Sequence, residues 1–358
     1  MSPYKRVYIF IMKSLTKKTM YNALLKKDIS FEGLFFAGIK TTGIFCRPTC
    51  TAKKPHLNNV EFFTTTQEAL LNGYRPCKRC SPLEFAGETP PFINTILSQL
   101  NHNPTIKIKD FDLVKMGIEP HRVRRWFKIH HGITFQGYQR MLRINNAYKK
   151  LSQGNTVTTV AYDTGYESLS GFSSAYQNIF STAPSNNFTN VINITRFTTP
   201  LGPMFACATE EGICLLEFTE RRMLEFEFRD IQKRLRAKIL YGNNPHFDTL
   251  QQQLKEYFDG KRKKFDIPLI TPGTEFQQQV WNVLMKIPYG KTISYKEQAI
   301  KMKHIKAVRA VANANGYNRI AIIIPCHRVI GDDGNLKGYG GGVWRKQWLI
   351  DFEKKNQF

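Results

Sequence analysis

Apolar residues recur at helical spacing in several separate stretches of the chain. In "EPHRVRRWFKIHHG" (119–132), Val123, Trp126 and Phe127 fall on one face, and Gly132 stands where a helix would stop. A shorter helix, "FDLVKMG" (111–117), precedes it across a glycine turn. "TVTTVAYDTGYESLSGFSSAYQNIF" (156–180) repeats the arrangement as helix, turn at Gly165 and helix, with Leu169, Phe172, Tyr176 and Phe180 predicted to point inward. The intervening "FQGYQRMLRINNAYKKL" reads as one longer helix. Further on, "TEFQQQVWNVLMKIPYG" places Phe276, Val280 and Leu284 on one stripe before a turn at Pro288 to Gly290, and "KAVRAVANANGYN" is a helix of small residues with one arginine, Arg309. "AIIIPCHRVIG" breaks the helical pattern: a continuous apolar run of this kind predicts a buried strand, delivering Cys326 at its end with His327 next to it. Neighbours on a strand face opposite ways, so contact between that imidazole and that sulfur needs a turn the pattern does not display.

Two turn-rich stretches, "SPLEFAGETPPF" (81–92) and "STAPSNNFTN" (181–190), divide the 358 residues into three segments. The opening "MSPYKRVYIFIMKSLTKK" holds an apolar run too short for a signal peptide or a membrane span, and Met12 is a possible true start. The expectation is a cytoplasmic protein with no membrane association. Net charge is +24, an excess that in a folded chain points to a polyanion, with nucleic acid first.

In a reducing compartment, clustered cysteines read as metal ligands or nucleophiles before disulfides. Cys46 and Cys50 enclose three residues, Cys77 and Cys80 enclose two, and 26 residues separate the pairs. Two such knuckles suit one tetrahedral Zn²⁺ held by Cys46, Cys50, Cys77 and Cys80. Four thiolates leave the site with a net charge near −2, and an unprotonated sulfur is a competent nucleophile toward an alkyl group. Spacing alone does not say whether one of them acts so.

"FAGIKTTGIFCRPTC" followed by "VEFFTTTQEALLNGYRPCKRCSP" resembles the zinc-binding domain of the bacterial Ada family across most of residues 31–82. That resemblance implies that Cys46, at the position of the family's acceptor, takes a methyl group from a DNA methylphosphotriester. The two helix-turn-helix units resemble the AraC-type DNA-binding domain over nearly 100 residues. Arg122, Arg124, Arg125 and Lys128 then become candidate DNA contacts on the first recognition helix. The second, residues 168–180, offers Ser, Gln and Asn without a cation, so the first unit is expected to dominate binding.

Residue types alone leave Cys326 open between a buried inert thiol and a nucleophile. "PYGKTISY", "KAVRAVANANGYN", "IPCHRVIG" and "GYGGGVWRK", within residues 273–353, resemble the O6-alkylguanine-DNA alkyltransferases. By matching position the resemblance implies Cys326 as alkyl acceptor, His327 as its water-linked base, Glu353 as the carboxylate polarising that base, Tyr295 and Arg309 in nucleotide flipping, and Asn318 as a hinge asparagine. Cys207 and Cys214, in "MFACATEEGICLLEF", then lie on two strands of the small subdomain, with packing roles.

Together the resemblances imply a multidomain α+β protein. It comprises a zinc-binding α/β domain (1–90), an all-α AraC-type double helix-turn-helix domain (91–190), a small ribonuclease H-like subdomain (191–272) and a winged-helix-like catalytic subdomain (273–358). The implied function is single-turnover repair of O6-methylguanine and O4-methylthymine at Cys326 and of methylphosphotriesters at Cys46. Methylation of Cys46 removes about one negative charge from the zinc site and should favour promoter binding. Expected partners are damaged and promoter double-stranded DNA and RNA polymerase, with nucleoid association when bound; one zinc and no organic cofactor are required. An AraC-type transcription factor without transferase activity and a cysteine hydrolase are the competing classes.

Overall fold

The computed structural model describes residues 16–28, 31, 34–80, 82, 89–185 and 190–357. The apolar run near the start and most of the first linker lie outside the described residues. Helix α1 (Lys17–Lys26) opens the described chain, its first turn capped by Thr16 Oγ1 accepting from Thr19 N at 3.1 Å. Four short strands follow: β1 (Phe36–Ile39), β2 (Ile44–Cys46), β3 (Val60–Phe63) and β4 (Arg75–Pro76), with α2 (Thr66–Leu71) between the last two. They form one sheet in the order β3-β1-β2-β4, antiparallel except for β2 with β4. Phe36, Phe45, Phe63, Ala69 and Tyr74 fill the space between sheet and α2.

Six helices come next: α3 (Pro91–His102), α4 (Asp110–Lys115), α5 (Pro120–His131), α6 (Phe135–Ser152), α7 (Val157–Asp163) and α8 (Leu169–Phe180). Pro91 and Phe92 belong to α3, so the first linker ends two residues before the composition suggested. The glycine turns stand where the pattern put them, with Gly132 at φ +71° and Gly165 at φ +78°. Val123, Trp126 and Phe127 are buried, as are Phe172, Tyr176 and Phe180. Leu169 is not: at the first position of α8 it is 39% exposed, because the inward stripe begins one turn later, at Phe172.

The remainder has two layers. Strands β5 (Asn190–Thr199), β6 (Gly202–Ala208), β7 (Ile213–Phe218) and β8 (Ala237–Tyr241) make a sheet ordered β7-β6-β5-β8. Helix α9 (Leu224–Leu235) carries the chain from β7 across to β8, parallel beside β5, and α10 (Pro245–Phe258) follows. Cys207 and Cys214 are fully buried in this sheet, and burial raises both thiols, Cys214 to about 12. The last part of the chain contains α11 (Glu275–Met285), β9 (Ile293–Ser294), α12 (Tyr295–Lys301), α13 (Val308–Gly316), β10 (Val329–Ile330) and α14 (Val343–Lys355). A capping box at Thr274 and Gln277 starts α11, and Trp281 on it bonds Ala314 O of α13 at 3.0 Å, locking the two helices together.

The apolar run before Cys326 is not a strand. Ile322 takes φ +71°, Ile324 N reaches Ile320 O at 3.1 Å, and Cys326–Arg328 form a single 3₁₀ turn. Beyond one bridge from Ile320 to Leu216, burial of Ala321, Ile322, Ile324 and Pro325 in the turn, not strand pairing, accounts for the apolar run.

Among the described residues no helix is long and apolar enough to cross a membrane. Phe172 is 0% exposed within the second helix-turn-helix core. Phe172→Ala should cost about 3–5 kcal/mol locally, read as faster amide exchange across 157–180 with exchange in α11 unchanged.

Candidate active sites on two cysteines

Pairing of β2 with β4 builds the four-cysteine site. The register Ile44 with Arg75 and Phe45 with Pro76 brings the next residues, Cys46 and Cys77, to the same end of the sheet, and Cys77 N bonds Phe45 O at 3.0 Å. A turn closed by Cys50 N on Arg47 O at 3.1 Å returns Cys50, and Arg47 N donates to Cys80 Sγ at 3.5 Å. Lys54 Nζ holds the loop by donating to Cys50 O at 2.7 Å. All four sulfurs lie within 4.8 Å of one another. Tetrahedral Zn–S bonds of ~2.3 Å set the sulfurs about 3.8 Å apart, so the donor set fits zinc.

At the other site, Asn318 fixes both the turn and the sulfur. Its Nδ2 donates to Ile324 O at 2.8 Å and to Cys326 Sγ at 3.1 Å, while its Oδ1 accepts from Ile320 N at 3.1 Å. Cys326 is partly exposed on a cleft of about 980 Å³, whose lining also includes Tyr295 and Arg309. Burial raises the Cys326 thiol, opposed by the Asn318 hydrogen bond and the charges of Lys346 and Arg221. It therefore needs a base.

His327 is positioned to supply one. Its Nε2 lies 3.0 Å from Glu353 Oε1, and the same carboxylate accepts from Tyr257 Oη at 2.8 Å, Gly290 N at 3.1 Å, and Arg328 Nε and Nη2 at 2.8 and 2.9 Å. Burial alone would raise Glu353, but His327 and Arg328 outweigh it and hold the carboxyl below its ordinary range. An ionised Glu353 requires the proton of neutral His327 on Nε2, which leaves Nδ1 as the basic atom. Burial lowers the imidazole and Glu353 opposes that shift, so the ring rests uncharged.

Family models match residues 19–82 as the metal binding domain of Ada, 114–189 as a helix-turn-helix domain, and 193–271 and 275–355 as the ribonuclease-like and DNA binding domains of 6-O-methylguanine DNA methyltransferase. The bifunctional transcriptional activator/DNA repair enzyme Ada of Escherichia coli is 33% identical over 354 residues, covering 96% of this chain and 98% of its own length. The chain belongs to the Ada family. A methylated-DNA–protein-cysteine methyltransferase of Methanosarcina barkeri is 41% identical over 158 residues, 44% of this chain and 94% of that protein. The crystal structure of Mycobacterium tuberculosis OGT in complex with DNA, 38% identical, covers 46% of this chain and 94% of that one with a TM-score of 0.39. This Ada-family member is thus a DNA-repair methyltransferase with a zinc domain and a transcription-activator architecture.

Within the Ada-family chain the expected residues divide by location. Cys326, His327, Glu353 and Asn318 form one hydrogen-bonded group, with Tyr295 and Arg309 on the cleft wall. Cys46 stands apart from that group and belongs to the four-sulfur cluster. Arg122, Arg124, Arg125 and Lys128 are all exposed on α5. Three have internal partners: Arg122 stacks on Phe92, Arg124 pairs with Asp110 and Lys128 bonds Gly132 O.

Sequence reasoning missed several residues. Arg328 and Tyr257 hold Glu353, and Lys346, buried beneath the cleft, has its Nζ 5.6 Å from the Tyr295 ring centre and bonds Lys337 O at 3.1 Å. Burial lowers Lys346 to about 8. The available signals were the Arg of "PCHR" and the Lys of "WRKQW". The triglycine of "GYGGGVWRK" also has a steric reason: a Cβ at Gly340 would fall 1.5 Å from Arg221 Nη1, and one at Gly341 2.6 Å from the Phe218 ring.

Because Glu353 is depressed when folded, its stabilising contribution is complete above the unfolded value of about 4.3 and is lost as pH falls through the folded one. Glu353→Gln should therefore remove about one proton from the acid-side slope of stability, read from urea midpoints below about pH 4.3. Zinc chelation should expose the backbone of residues 36–80 to exchange while α11 and α14 remain protected.

Proposed function

We propose that Cys326 and Cys46 are the two methyl acceptors. Cys326 Sγ attacks the methyl carbon of O6-methylguanine or O4-methylthymine; the S–C bond forms as the C–O bond breaks, and the electron pair leaves on the base oxygen. The thiol proton passes to His327 Nδ1 through a water, with Glu353 stabilising the imidazolium that results. Tyr295, whose phenol burial raises to about 12, keeps its proton and serves with Arg309 in holding the extruded nucleotide. Asn318 keeps the sulfur on the cleft. The single observation that carries the reading is Cys326, with Asn318 on its sulfur, followed in the same turn by a His327 bonded to buried Glu353. The thiolate of a methyl thioether is a poor leaving group, and its methyl is not given up to water or a side chain, so each cysteine acts once.

At the second site zinc, when bound, keeps Cys46, Cys50, Cys77 and Cys80 deprotonated. Cys46 then accepts methyl from a phosphotriester, and the loss of about one negative charge lowers repulsion toward DNA phosphate. Arg122, Arg124, Arg125 and Lys128 contact promoter DNA, and RNA polymerase is the partner of the activated form, at the nucleoid of a cytoplasmic protein. The functional segments follow the division at about residues 90, 190 and 272.

Incubating zinc-loaded protein with duplex carrying O6-methylguanine and methylphosphotriesters should place one methyl on each cysteine, read by peptide mass. Cys326→Ser should lose only the first. Repeated turnover, or no label on either sulfur, would overturn the assignment. Glu353→Gln should slow transfer to Cys326 by about 10²-fold or more and leave Cys46 labelling intact.

A further inference from the structure

The cleft in front of Cys326 is walled by segments that lie far apart in the sequence. Lys26, Lys27 and Asp28, at the end of α1 in the zinc segment, line it together with Tyr295, Arg309 and Cys326. Packing explains their position. Met20 and Ala23 on α1, with Phe31, Leu34 and Phe35 beyond it, share one apolar core with Phe218, Trp281 and Trp348 of the transferase. The Phe31 and Trp344 rings lie 5.9 Å apart. Lys27 ends the helix in the left-handed region, φ 51°, with its N–H bonded to Ala23 O and Leu24 O. Both lysines stay exposed where the chain turns away.

Neither lysine is needed by the chemistry assigned to Cys326, His327, Glu353 and Asn318. A base can enter this cleft only with its sugar and phosphates at the mouth, where cations are useful. Arg222, Arg309 and Lys337 line the same cleft. In the other direction, Lys27 lies within electrostatic range of Lys54, whose ammonium bonds the carbonyl of Cys50. Cationic side chains therefore run from the four-cysteine site to the alkyl-acceptor cleft. Of the acidic residues on the wall, Glu220 is tied to Arg345.

We propose that Lys26 and Lys27 contact the DNA backbone flanking the base that enters the Cys326 cleft, making the zinc domain part of the transferase's footprint on duplex DNA. This rests on Cys326 being the alkyl acceptor. It follows that base repair depends on the zinc segment for DNA affinity, although the methyl never touches that segment.

The test uses the full-length, zinc-loaded protein and a duplex with one O6-methylguanine. The second-order rate of Cys326 methylation is followed across a salt series of about 50 to 200 mM for the unsubstituted protein, K26A/K27A, and K17A/K18A at the opposite end of α1. K26A/K27A should slow transfer on the order of ten-fold at the low-salt end and flatten the log–log salt slope by about 2, one per lost phosphate contact. K17A/K18A should keep the original slope. Equal slopes in all three proteins while Cys326 is still methylated, or faster transfer in K26A/K27A, would overturn the proposal and leave the acceptor assignment standing. Absence of methyl on Cys326 in the unsubstituted protein would instead remove the assignment on which the proposal rests.

Discussion

A carboxylate that has lost its water must be satisfied by other donors, and Glu353 shows how much structure that requirement organises. It is 1% exposed and receives donors from His327, Arg328, Tyr257 and the backbone of Gly290. Those donors come from the 3₁₀ turn, α10 and the turn after α11, while the acceptor sits on α14. One buried anion therefore ties four elements together. Removing Arg328, the charged donor, would leave the carboxylate's charge uncompensated in a low-dielectric interior, which is costly. The same network sets the tautomer of His327, so the interaction that closes the fold also prepares the base.

The two reactive sulfurs solve one chemical problem by different means. A thiol in an apolar surround holds its proton, and burial does raise Cys326. Asn318 donates to that sulfur, and the neighbouring His327 is the base of the proposed transfer. In the zinc segment the sheet register gathers four sulfurs within bonding range of one ion, and the metal replaces the proton altogether. Methyl transfer to either sulfur, as proposed, ends in a stable thioether. In the proposed reading only the zinc site changes charge on methylation, because its sulfur starts as a metal-bound thiolate, whereas Cys326 starts as a neutral thiol and ends as a neutral thioether.

Local patterning made most of the helices legible. Helical spacing placed α4, α5, α7 and α8 with their glycine turns, and the small-residue helix α13 with Arg309 on its surface. The zinc site was legible because two short knuckles carry their geometry in their spacing. The apolar run before Cys326 misled, since a largely buried turn and a buried strand show the same unbroken hydrophobicity. Leu169 misled for a simpler reason: a first-turn position can continue the helical stripe while the chain entering the helix leaves it uncovered.

Cysteine spacing and helical periodicity, which depend on residues close together in the chain, pointed to a zinc site and helix-turn-helix units, the excess of positive charge pointed to a polyanionic partner, and the methyl-transfer chemistry came from the resemblance to known families. Contacts between distant residues had no such signature. That Glu353 meets His327 across 26 positions, that Lys346 lies under Tyr295, and that the end of α1 reaches the Cys326 cleft were decided only when the cores packed. Burial and long-range hydrogen bonding arise from how elements pack in three dimensions, and no local pattern encodes which element will arrive on the other side.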